Sequence, residues 1–153
     1  MKHAGPRHVG REYALRILYA YNIQMDVTGE KPVHVFPNWW AEEDSLSVTP
    51  EAEQFAWLLT RGVMKKREEI DRLIQEQALH WRLERMSPVD RNILRLSLWE
   101  LMENSDTPAN VILNEAVELA KCYGDENSPR FMNGILDPLA RTLRPGEYAP
   151  VEA

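Results

Sequence analysis

Arg130, Phe131 and Asn133 follow Ser128–Pro129 in the stretch VILNEAVELAKCYGDENSPRFMNGILD, residues 111–137. A cation, a ring and an amide at the head of a helix lie beside free terminal N–H groups. That set suits a phosphate backbone and an unstacked base better than bond-breaking chemistry. The competing reading is two packed helices with Phe131 in the core. A second set lies near the start of the chain. Arg7 and Arg11 are four apart, hence on one helical face, and Tyr19 lies two further turns along. Arginine meets phosphate with two parallel hydrogen bonds, and single-stranded RNA is commonly held by such cations together with stacking rings. Arginines and tyrosines are common on helices, so this second set has little specificity alone.

A search for catalytic groups returns little. The chain has no GxxxxGK[ST] or GxGxxG loop and no GxSxG elbow. His3, His8, His34 and His80 have no metal-ligand spacing with each other or with Cys122. Cys122 falls near a helix C-terminus, where the dipole raises a thiol pKa and weakens the nucleophile. Glu115 and Glu118 read as helix-surface charges or a structural hydrogen bond. The expectation is a binding protein without cofactor or metal, not an enzyme.

Net charge is −6, which argues against indiscriminate coating of nucleic acid. Its distribution is uneven. Residues 1–24 carry Lys2, Arg7, Arg11 and Arg16 against Glu12 alone, with His3 and His8 in reserve. Residues 26–53 carry Lys31 against seven carboxylates. A small basic patch on an acidic body suits selective binding; terminal charge scatter is the plain alternative. One cysteine excludes an intrachain disulfide framework. Neither an apolar leader nor a bilayer-length run is visible, so a soluble, cytoplasmic protein is expected.

The elements that must position these residues are helices. Thr49–Pro50, Ser87–Pro88, Thr107–Pro108 and Ser128–Pro129 each read as an N-cap hydroxyl followed by proline at the first helical position. Asp90 completes a short capping box with Ser87. Apolar spacing predicts helices over about 10–24, 50–66, 67–79, 88–103, 108–123 and 129–142. The 88–103 helix is apolar on more than one side and should be central. Residues 25–49, with Gly29, Pro32 and Pro37, read as a long connection pinned by Trp39 and Trp40. The tail after Arg144 reads as frayed.

Three blocks then resemble the NusB family of transcription antitermination factors: GREYALRILYAYNIQ (10–24), HWRLERMSPVDRNILRLSLWEL (80–101) and TPANVILNEAVELAKCYGDENSPRFMNGILD (107–137). The family's INEAVELAK–FG–(E)DS–KFVNGVLD pattern falls on Leu113–Lys121, Tyr123–Gly124, Glu126–Ser128 and Phe131–Asp137. The resemblance implies an all-α fold of about seven helices in two small subdomains packed across each other, as one RNA-binding domain over 1–145 with a flexible 146–153 tail. It implies binding of the boxA element of nascent, chiefly ribosomal, RNA together with NusE, a ribosomal small-subunit protein. RNA polymerase and the other Nus factors complete that assembly, and no membrane is involved. Family members occur as monomers or homodimers, and the sequence leaves that choice open.

Residue by residue, the family's arginine-rich start falls on Arg7, His8, Val9 and Arg11. His8 and Val9 interrupt the run, which implies weaker or more pH-dependent affinity through His3 and His8. Phe131 falls on the base-contacting ring, and Asn127 stands where aspartate is usual. The RNA set is therefore Lys2, His3, Arg7, His8, Arg11, Tyr19, Asn127, Ser128, Arg130 and Phe131. The partner surface falls on Glu76, Glu84 and Arg85. Two other readings stay open: an RNA-holding domain like that of ribosomal RNA cytosine methyltransferases, and a helical protein–protein adaptor with little RNA affinity.

Overall fold

The computed structural model describes residues 5–28 and 48–148. These form six α-helices: α1 Pro6–Thr28, α2 Pro50–Lys65, α3 Arg67–Gln77, α4 Pro88–Glu103, α5 Ala109–Tyr123 and α6 Ser128–Leu143. Short 3-10 turns occupy Leu83–Arg85 and Pro145–Glu147. No strand occurs among the described residues, so the all-α expectation holds. Lys2, His3, Trp39, Trp40 and most of the 25–49 connection lie outside the described residues; α1 itself runs four residues into that connection.

The chain divides into two compact units, Met1–Lys65 and Lys66–Ala153. In the first, α1 packs on α2. Gly10 permits the approach, because a Cβ there would sit 2.9 Å from the Ala52 carbonyl oxygen and from Phe55 Cδ2. The buried side of α1 includes Ala14 and Leu18, as the spacing predicts, but also Leu15, Arg11, Glu12 and Arg16. On α2, Ala52, Ala56, Leu59 and Val63 are buried, whereas Phe55 is only half-buried.

In the second unit α4 is central, in contact with α3, α5 and α6. Every residue from Asn92 to Leu101 is buried. Such a helix must satisfy its polar groups internally. Arg95 does so with Asp71 of α3 through Nε–Oδ1 at 2.8 Å and Nη2–Oδ2 at 3.0 Å, and donates from Nη1 to Asn92 Oδ1 at 3.1 Å. On α5, Ile112, Ala116, Leu119 and Ala120 are buried and Val111 is exposed.

Two of the four predicted caps form as read. Ser87 Oγ accepts from the Asp90 N–H at 3.1 Å, and Thr49 Oγ1 from the Ala52 N–H at 3.2 Å. The other two differ. Before α5 the cap residue is Pro108, and the Ala109 N–H donates instead to Glu147 Oε1 at 2.9 Å. Before α6, Asp125 does the capping: its Oδ1 accepts from the Asn127 N–H at 2.8 Å and the Ser128 N–H at 3.2 Å. The chain after Arg144 is also less frayed than expected. Pro145–Glu147 form a turn, and the Arg141 guanidinium lies 4.6 Å from the Tyr148 ring centroid; residues 149–153 lie outside the described residues.

Candidate nucleic-acid interface

The first unit carries a cationic patch at the start of α1. The guanidiniums of Arg7 and Arg11 each lie 5.2 Å from the centroid of the Phe55 ring. A ring quadrupole attracts guanidinium by about 0.5–2 kcal/mol depending on solvation, so Phe55 holds both cations to one platform. Arg7 is exposed; Arg11 is only 3% exposed. Arg11 therefore braces the patch from a buried position over Phe55 instead of facing solvent as the helical spacing suggested. His8 Nε2 lies 3.4 Å from Glu12 Oε1, one turn along. Tyr19 is half-buried. An open cleft of about 680 Å³ beside Arg7 is lined by Gln54, Phe55, Leu58 and Glu51 among others.

The second unit carries the corner between α5 and α6. Gly124 ends α5, and only glycine fits: a Cβ would fall 2.4 Å from Ser128 Oγ and 2.8 Å from the Ala120 carbonyl oxygen. Ser128 is buried, and its hydroxyl accepts from the Asp125 N–H at 3.0 Å. It shapes the corner and does not reach solvent. The Asn127 side chain makes no capping bond and is exposed. Because the Asp125 carboxylate takes two N–H groups at this end, the helix terminus offers an anion less than the sequence implied. Arg130 and Asn133 are exposed. Phe131 is half-buried and meets Trp81 edge-on, with centroids 6.1 Å apart and planes at 83°. The core-packing alternative for Phe131 is thus only half realised.

Asp90, in the first turn of α4, faces this corner. Burial pushes its carboxyl above the ordinary range; the Ser128 hydroxyl offsets part of the rise and the Asp125 charge adds to it. Glu76, Glu84 and Arg85 are all exposed, and Glu84 Oε1 pairs with Arg82 Nη1 at 3.4 Å. Among the described residues no group of His, Cys, Asp and Glu is placed to hold a metal ion, and no helix is long and apolar enough to cross a membrane.

Sequence reasoning missed two rings. Phe55 carried only its core spacing, and nothing local shows that α1 cations will cover it. Trp81 had a signal: it stands between His80 and Arg82 in a helix-free stretch.

The described residues form two all-α units, each carrying cations beside a half-buried ring, and comparison with known proteins identifies the lineage. The NusB family model matches residues 8–141. The chain belongs to the NusB family. It is 45% identical over 139 residues to the transcription antitermination protein NusB of Myxococcus xanthus, covering 91% of this chain and 97% of that one. It is 41% identical over 137 residues to that of Bacillus cereus, covering 90% and 98%. Among solved structures it is similar to T. maritima NusB, with a TM-score of 0.72 and 35% identity over 98% of this chain and 96% of that one. It is also similar to a chain from a crystal structure of antitermination factors NusB and NusE in complex with double-stranded RNA. There the TM-score is 0.70 and the identity 28%, over 90% and 97% of the two chains.

Proposed function

We propose that the protein is a non-catalytic antitermination factor of the cytoplasm. It binds boxA-type single-stranded RNA together with a NusE-type ribosomal protein, within an RNA polymerase elongation complex. The observation that carries this reading is Phe131, half-buried on an exposed corner with Arg130 and Asn127 beside it. The Arg7 patch supplies phosphate contacts, with His8 and Tyr19 on the same helix and Arg11 and Phe55 bracing it; Lys2 and His3 belong to the same proposed set. Ser128 sets the corner's shape. The partner surface is assigned to Glu76, Glu84 and Arg85, and the RNA-binding domain to 1–145. The relatives' shared name and the solved complex of NusB, NusE and RNA support it.

The test is titration of full-length protein with a short boxA-like RNA, with and without purified NusE, at several salt concentrations. A binder shows a log–log salt slope reflecting several phosphates; a bare protein adaptor shows almost none. Phe131→Ala should weaken binding roughly 5- to 150-fold, the range for one lost stacked base, with circular dichroism unchanged. Arg7→Ala should reduce the salt slope by about one. Unchanged RNA affinity in both variants removes the site.

A further inference from the structure

Trp81 is 62% exposed. Tryptophan is highly buried on average, so a ring left largely in water forgoes apolar burial. The segment that displays it is nevertheless built with care. One side chain, Gln75 near the end of α3, makes three backbone hydrogen bonds across it. Its Nε2 donates to the Ala78 carbonyl at 3.2 Å and the Trp81 carbonyl at 3.0 Å, and its Oε1 accepts from the Leu83 N–H at 2.8 Å. The Trp81 N–H itself donates to the Ala78 carbonyl at 3.1 Å. The turn is tied down while its largest apolar side chain is left outside.

We propose that Trp81 is a stacking platform for an unstacked RNA base, adjoining the Phe131 corner and presented by the Gln75 clamp. The inference rests on the RNA reading above and adds to it a residue that the family-derived site set does not contain. Two observations favour RNA as occupant. Trp81 touches Phe131, the ring that reading already assigns to a base. Exposed His80 and Arg82 flank it in sequence, Arg82 pairing with the turn's one acid, Glu84, and exposed Arg130 adjoins Phe131; that balance complements a polyanion. The Gln75 hydrogen bonds hold the turn's backbone, which lowers the ordering cost of binding at this ring.

The geometry adds a specific consequence. Planes at 83° cannot both lie in one continuous base stack. Bases on the two rings must be splayed, which a single strand allows and a duplex does not.

Full-length wild type, Trp81→Leu, Trp81→Phe and Phe131→Ala are titrated with the boxA-like single strand and with its duplex. Trp81→Leu should lose roughly 5- to 150-fold in single-strand affinity, Trp81→Phe should recover most of it, and duplex affinity should not change. Melting curves should coincide, because the ring is exposed. If Phe131→Ala binds weakly while Trp81→Leu binds like wild type, the RNA reading stands and this inference falls. If Trp81→Leu keeps its RNA affinity and loses only NusE, the ring is a protein contact and the inference falls too. Equal losses on duplex and single strand, or a failure of Trp81→Phe to rescue, also overturn it. Absence of binding by the wild type removes both readings together.

Discussion

Arg144 Nη1 lies 2.7 Å from Glu147 Oε2, and this pair ties the end of α4 to the start of α5. The same guanidinium donates to the carbonyls of Leu101 at 2.7 Å, Asn104 at 2.8 Å, Glu100 at 3.0 Å and Thr107 at 3.1 Å. Those include carbonyls that a helix C-terminus leaves without partners. Glu147 meanwhile accepts from the Ala109 N–H. A cation thus sits at one helix's negative end and an anion at the next helix's positive end.

Arg144→Ala should destabilise the protein by about 2–4 kcal/mol, because several half-buried acceptors lose their donor together. Arg144→Lys should recover little, since one ammonium cannot span those carbonyls. Urea unfolding followed by circular dichroism checks both.

Glu147 links this pair to acid stability. The Ala109 N–H, then Arg144, holds its carboxyl below the usual glutamate value of 4.5. A depressed folded-state value means its contribution is fully present above 4.5 and is lost as pH falls through the folded value. The melting-temperature advantage of wild type over Glu147→Gln should therefore be constant from pH 7 to about 5 and shrink below that. An advantage that grows on acidification contradicts the assignment.

Asp90 behaves in the opposite sense. Burial raises its carboxyl above 3.8, so the folded state holds this proton more tightly than the unfolded chain. Its ionisation costs stability above the folded value, and the cost disappears below the unfolded one. Asp90→Asn should melt higher than wild type at pH 7, with the gain vanishing near pH 3. Paired thermal melts across that window measure it.

Gly124→Ala should displace the α5–α6 corner, because the new methyl would overlap Ser128 and the Ala120 carbonyl. The expected cost is about 1–3 kcal/mol. RNA affinity should fall further than the Arg7 patch alone explains. Unfolding curves and gel shift on the same preparation separate the two effects.

Much of the helical framework was readable because its signals are local. The α4 start and end were predicted to the residue, since Ser87, Pro88 and Asp90 lie within one turn. Apolar residues on more than one side of 88–103 showed that α4 would be central. The caps of α5 and α6 were misread for one reason: the groups that supply them are not where the motif places them. Glu147 acts from 38 residues away, and Asp125 occupies the role assigned to Ser128.

The sequence alone determined the class of the fold, the family, and the identity of the cations and rings available for a single strand, because residue type and helical spacing are local properties. Tertiary packing decided which of them reach solvent. It buried Arg11 against Phe55, turned Ser128 inward and left Trp81 outside against Phe131. Exposure depends on which other helix covers a face, and the periodicity of one helix carries no record of its neighbour.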